Sequence, residues 1–342
     1  MRKPKVKIRT VAEAAGVSVT TVSLVLNNVA SARVGADTRR RIHEAAERLG
    51  YVPNEVARQL RAQRTNTLGL LGDEVTTTPF AGRMVLGAQE AASKHGWLLM
   101  LLNTGLDPEL ERKEISALLQ SRVDGVLYTT MYHRLVRVPD QLRTVPTVIL
   151  DAEDDTADLP SVVPDEEGGA FLATKELLDH GHRRIGFVNS NLDIPATSGR
   201  LAGYQKALRQ ADVSFDPRLV VSAHPVSREG YAAASQLLSR RERPTALFCF
   251  NDRVAMGAYQ AASALGLRIP ADLSVVGFDD QEEISEGLLP GLTTVALPHY
   301  AMGAWAVDAL IARVLDPNAP VERAVLPCPL VRRESVVGPS TP

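Results

Sequence analysis

The sequence predicts an α/β protein: an N-terminal three-helix head with a hinge helix, then a core of two subdomains built on doubly wound parallel sheets. Three observations carry this. Apolar residues recur at helical spacing between residues 10 and 49, the charge balance changes sign near residue 64, and from Leu68 onward short apolar runs alternate with longer amphipathic stretches.

Thr10 and Glu13 have the spacing of a capping box, which starts a first helix at Val11. Gly16 supplies the turn, and Ser18 caps a second helix whose apolar residues Val22, Val25 and Leu26 share one face. The other face, Val19, Thr20, Thr21 and Leu24, stays free to read a groove. Two short helices joined in this way form a helix-turn-helix, so duplex DNA is the first candidate partner, with Thr10, Ser18 and Asn27 counted among the contacting residues. Ile42, Ala45, Ala46 and Leu49 mark a third helix with Arg40, Glu44 and Arg48 on its solvated side.

Charge supports the same partner. Residues 1–64 hold 13 Lys plus Arg against 5 Asp plus Glu, a balance of +8 in a chain whose net charge is −2. The remainder is acidic, so the head is the part suited to a polyanion. Asn54 is placed to cap a short helix from Glu55 to Ala62. A helix of that length is marginal alone and is expected to form only against its dimer mate and DNA. Val56, Ala57 and Leu60 make its apolar side, and an exposed Leu60 suits a wedge between base steps of the minor groove. A plain linker is the competing reading.

The chain resembles the LacI/GalR family of bacterial transcription regulators over essentially its whole length. The matching stretches are VAEAAGVSVTTVSLVLN, YVPNEVARQLR, TPF, GHRRIGFV, GRLAGY, PTALFCFNDRVAMGA, SVVGFDD, LTTV and LVRRESV. The resemblance implies a homodimer on a pseudo-palindromic operator, with paired hinge helices opening the site through Leu60. It also implies a periplasmic-binding-protein-like core with three crossovers. The expected organisation is a head at 1–53, a hinge at 54–65 and an effector-binding and dimerisation domain at 66–338. Within that domain the N-subdomain takes 66–163 plus 296–322, and the C-subdomain 164–292 plus 323–338. Where the family often has Arg after the Thr-Val-Ser run, this chain has Leu24, which cannot make the two-pronged contact to guanine.

In the body, runs at 68–71, 97–102, 125–128 and 147–150 form one strand series, and runs at 185–188, 219–221, 246–250 and 274–278 another. They divide near Asp165, and the cleft between them is the expected ligand site. Ligands of open α/β sheets sit beyond the carboxyl ends of strands, which singles out Phe80, Asp151, Asn251, Phe278 and Asp279, with Arg200 at the start of the RLAGY helix. Carboxylates and a forked guanidinium pair with neighbouring hydroxyls while an aromatic face covers a sugar ring, so the set suits a polyol. Helix capping by Asn251 and Asp279, a surface ion pair for Arg200 and core packing for the two Phe compete with that role. Ala152 and Pro225 depart from familiar sugar-binding patterns.

An enzyme is not expected. The chain has no G-x-G-x-x-G after its first strand, no phosphate loop and no nucleophile elbow, and no catalytic residue, cofactor or metal is assigned. His180 and His182 are better explained by the helix end at Gly181 than by metal ligation. Two cysteines fit a reducing cytoplasm, and the longest apolar run, WLLMLL, is far too short to span a bilayer. The expected function is a repressor of carbohydrate-utilisation genes controlled by a sugar-like effector. The alternatives are a carbohydrate-binding protein without DNA function and a regulator answering to a nucleobase-type corepressor. If the hinge wedge is real, Leu60→Ala weakens operator binding more than binding to random duplex; equal losses in a gel-retardation titration would refute it.

Overall fold

The computed structural model describes residues 6–26, 34–51, 64–75, 81–156 and 158–339, in two compact units that divide after Thr65. The hinge residues Asn54, Ala57 and Leu60, together with Asn27 and Phe80, lie outside the described residues.

The first unit holds α1 (Ile8–Ala15), α2 (Val19–Leu26) and α3 (Ala36–Leu49). Gly16 ends α1 in the left-handed conformation at φ 66°, and α1 and α2 meet at 102°, within the range of helix-turn-helix pairs. Val11, Ala12, Ala15, Val22, Val25, Ile42, Ala45 and Ala46 are buried together as its core. The capping box does not form. α1 begins at Ile8 rather than Val11, its N-cap is Lys7 without a side-chain bond, and Glu13 pairs with Arg9 at 3.6 Å instead. Val6 and Ile8 explain the earlier start, since both pack on the head's core.

The second unit contains two six-stranded sheets among the described residues. The first comprises β1 (Thr67–Gly72), β2 (Leu98–Asn103), β3 (Gly125–Val136), β4 (Thr147–Asp154), β5 (Ser161–Pro164) and β11 (Arg323–Leu326), with α4 (Gly82–Lys94), α5 (Pro108–Gln120) and α11 (His299–Leu315) beside it. Its order is β11-β5-β4-β3-β1-β2, parallel throughout. The second comprises β6 (Ile185–Ser190), β7 (Val220–Ala223), β8 (Ala246–Cys249), β9 (Ser274–Asp279), β10 (Thr293–Ala296) and β12 (Leu330–Val331). Its order is β12-β10-β9-β8-β6-β7, with only β12 antiparallel. Its helices are α6 (Glu166–Asp179), α7 (Pro195–Gln210), α8 (Ser227–Leu238), α9 (Asp252–Ala264) and the short α10 (Glu282–Ser285).

The chain crosses between sheets after β5, after β10 and after β11. One boundary differs from expectation: residues 323–326 pair with β5 and so complete the first sheet rather than the C-subdomain. The side chains of β11 do not reveal that choice, because an edge strand of four residues carries little periodicity. After β12 the chain stitches into the second sheet, where Ser335 O accepts from Val275 N at 3.0 Å and Val337 O bonds the His182 ring at 2.8 Å.

Helices pair backbone to backbone where glycine permits. A Cβ on Gly303 of α11 would lie 2.0 Å from Met84 O, and one on Gly87 of α4 would lie 2.1 Å from Tyr300 O. Gly257 of α9 meets the α8 backbone in the same way. Among the described residues no single helix is long and apolar enough to cross a membrane. Gly303→Val is expected to push α4 and α11 apart and destabilise the second unit by about 1–3 kcal/mol, read as a lowered urea midpoint. An unchanged midpoint would refute the close packing.

Candidate functional site

The head presents the face expected of a groove reader. Val22 and Val25 point into the core with no exposure, while Ser18, Val19 and Thr20 are exposed and Thr21 and Leu24 are half-buried. Ser18 caps α2: its Oγ accepts from Thr21 N at 3.1 Å and lies 2.9 Å from Thr21 Oγ1. The face offers short hydroxyls and methyls, which fit thymine methyl groups better than guanine. Thr10 is exposed in the first turn of α1, and Lys7, Arg9, Arg40, Arg41 and Arg48 are exposed on the same unit.

In the second unit the carboxyl ends of β4, β8 and β9 converge with α6 and α7 on a cavity of about 30 Å³. That is room for about two waters. Arg200, near the start of α7, is its electrostatic centre and is 3% exposed. Its Nε donates to Glu166 Oε2 at 2.7 Å, one Nη donates to the Phe250 carbonyl, and the same nitrogen lies 3.5 Å from Asp279 Oδ1. The guanidinium stacks 3.7 Å from the Phe278 ring centroid and 4.3 Å from that of Phe250. Burial works against its charge, but Glu166 and Asp279 outweigh it and raise the arginine's pKa.

Asp279 takes a left-handed φ of 103° at the end of β9 and accepts from Gln281 Nε2 at 3.0 Å. Burial is the main cause that lifts its pKa to about 6, with Arg200 pulling the other way. Asp151 faces this cluster from the opposite lobe. Its carboxyl is 3% exposed, sits on a left-handed residue of β4 at φ 60°, and leaves Oδ1 without a hydrogen-bond partner. Burial and then the nearby Glu166 hold its pKa well above the usual carboxylate range. His133, from β3, also lines the cavity and keeps Nδ1 unbonded, while its Nε2 is 3.5 Å from Glu153. On the rim, Arg83 of α4 donates to Glu282 of α10 and ties the two lobes together.

Of the residues singled out in sequence, Asp151, Arg200, Asn251 and Asp279 line this one cavity. Phe278 does not. It is fully buried and lies beneath Arg200, because β9 turns its side chain into the core between α6 and the sheet. Arg200 is buried rather than part of a surface ion pair. Asn251 is largely committed to the fold: Oδ1 caps α9 by accepting from Val254 N at 2.9 Å, and Nδ2 donates to Pro225 O at 3.3 Å. Glu166, Phe250 and His133 were missed. The run ending at residue 128 was read too short, since β3 continues to Val136 and carries His133 into the cleft. Glu166 directly follows Asp165, where the two strand series divide and whose side chain caps α6. The His180 and His182 rings are occupied structurally, with His180 Nδ1 on Glu176 O at 2.8 Å and His182 bonded to Thr245, Ser274 and Val337.

Comparison with known proteins identifies the family of both units. Residues 7–54 match the family model "Bacterial regulatory proteins, lacI family", and residues 65–334 match "Periplasmic binding proteins and sugar binding domain of LacI family". The ribose operon repressor of Haemophilus influenzae is 34% identical over 329 residues, covering 96% of this chain and 98% of that protein. The HTH-type transcriptional repressor PurR of Vibrio atlanticus is 35% identical over 311 residues, covering 90% and 92%. The structure of the lac repressor dimer bound to operator and the anti-inducer ONPF superposes with a TM-score of 0.77, with 28% identity over 98% of this chain and all of that one.

The raised Asp279 carboxyl has a stability consequence. The unfolded chain loses this proton near pH 3.8 and the folded one near 6, so stability falls as pH rises between those values, by up to about 3 kcal/mol. Asp279→Asn removes the titration. Urea unfolding at about pH 4 and pH 7 is expected to show the wild type losing more stability than the variant; parallel losses would contradict the assignment.

Proposed function

The chain belongs to the LacI family of bacterial regulatory proteins, and from that membership we propose a homodimeric repressor of carbohydrate-utilisation genes, switched by a neutral polyhydroxyl effector in the cleft. It is a DNA-binding transcription regulator and not an enzyme. Its place of action is the cytoplasm. We assign the head to 1–53, the hinge to 54–65 and the effector domain to 66–338, with residues 323–326 given to the first lobe.

The charge balance of the cleft carries the effector class. Asp151, Glu166 and Asp279 stand against the single guanidinium of Arg200, and Asp151 Oδ1 and His133 Nδ1 have no partner. Sugar hydroxyls donate to such carboxylates, whereas a phosphate or carboxylate ligand meets excess negative charge in a water-poor space. The nucleobase reading keeps one support: Tyr132 and Phe250 add aromatic surface to the lining.

A second copy of the chain has an apolar edge to cover. β2 ends the first sheet and exposes Leu98 by 70%, Met100 by 37% and Leu101 by 37%, an edge that a lone subunit would leave as a template for pairing. In such a dimer the opening and closing of the lobes sets the spacing of the two hinges. Effector affinity that differs between the open and closed states then shifts DNA affinity by the same free energy.

Retention of DNA flanking the gene, measured against D-ribose, other pentoses and hexoses, ribose 5-phosphate and hypoxanthine, tests this reading. A neutral sugar is expected to change retention, and Asp151→Asn to weaken that response by about tenfold or more. A response to hypoxanthine or ribose 5-phosphate at lower concentration than to any sugar would overturn the effector class.

A further inference from the structure

Four arginines gather at the end of the second sheet opposite the cleft. Arg184 immediately precedes β6, Arg218 precedes β7, and Arg240 and Arg241 precede β8; β7, β6 and β8 are parallel neighbours, so all four stand at one edge. With Glu242 they line a concave surface groove. The cleft residues Asn251 and Asp279 lie beyond the other ends of these strands.

The arginines are held mainly by main-chain oxygens. Arg184 Nε donates to Glu242 O at 2.8 Å, and Arg240 donates to Arg218 O. Among the described residues, Arg218 alone of the four pairs with a carboxylate, Asp216 at 2.9 Å. A carbonyl fixes a guanidinium in place without cancelling its charge. Counting Asp216 and Glu242 against the four arginines leaves an excess of two positive charges in the groove. Other exposed cations of this lobe face carboxylates of their own: Lys175 pairs with Asp179, Lys206 with Glu167, Arg268 with Asp272 and Arg332 with Glu176. The forked donors suit phosphoryl oxygens, which accept paired charge-assisted hydrogen bonds.

We propose that this groove is a second small-molecule site, taking a polyphosphate-bearing anion, separate from the effector cleft and of opposite charge preference. Four forked donors line the groove, more than the oxygens of one phosphate pair with, so an anion carrying two or three linked phosphates is the better match. The site goes beyond the sugar-switched repressor reading and stands whether or not the effector is a sugar.

The test is calorimetric titration of the full-length protein with inorganic tripolyphosphate at about 0.15 M salt. The expected result is one site per chain whose affinity falls about tenfold or more in Arg184→Ala and in Arg240→Ala. Arg241→Ala serves as the variant least able to disturb folding, since no hydrogen bond among the described residues involves its side chain; it is expected to weaken binding as well. Because the basic head also attracts polyanions, Arg48→Ala is the control and should leave this site intact. Loss of binding in Arg48→Ala alone, equal affinity in all variants, or the same weak heat from sulfate at matched ionic strength would each overturn the proposal.

Discussion

A buried guanidinium organises the ligand-binding half of this molecule. Arg200 has left water, and an isolated buried cation is too costly to keep unless acids and carbonyls surround it. Glu166 from α6, Asp279 from β9 and the Phe250 carbonyl after β8 supply that surrounding, with the rings of Phe278 and Phe250 packed against the guanidinium. The same solution over-compensates. Once Asp151 faces the cluster from the other lobe, acids outnumber the cation, and two carboxyls hold their protons more tightly than they would in water. The cleft is therefore rich in carboxyl oxygens, which accept from hydroxyls and, where they keep a proton, also donate to them, so a ligand rich in hydroxyls meets partners for both roles.

The two units follow different physics. The head is a small core of valines, alanines and one isoleucine that leaves its basic residues in solvent, where they act through long-range attraction to phosphate. The body buries four large apolar clusters, two against each of its sheets, and carries the opposite net charge. Four of the body's arginines line one groove below β6, β7 and β8, at the strand ends opposite the acidic cleft.

The sequence made the large elements legible and the short ones not. Periodicity located α2, α3 and the central strands, and the strand-end rule found Asp151, Asn251 and Asp279 because parallel sheets present those ends on one side. Thr10 was misread because the capping-box spacing says nothing about Val6 and Ile8, whose burial extends α1 backward. Phe278 was misplaced because alternation along a strand gives two faces without saying which one a neighbouring helix covers. His133 and Glu166 escaped because they meet only through lobe-to-lobe closure, a contact with no local pattern. The four-residue β5, β10 and β11 carry too few residues to declare a period, and the assignment of β11 to the first sheet is a matter of pairing alone.

That late pairing has a bearing on biosynthesis. β5 emerges from the ribosome with one side unclaimed and waits through the whole of the second lobe before residues 323–326 arrive to cover it. The second sheet waits in turn for β12, Ser335 and Val337. Neither lobe is sealed while the other is being made, so the nascent polypeptide travels with two unfinished β margins, each a template for stray strands. Closing both with one short terminal stretch makes completion of the two lobes nearly simultaneous, and leaves any chain broken off before that stretch with both margins bare.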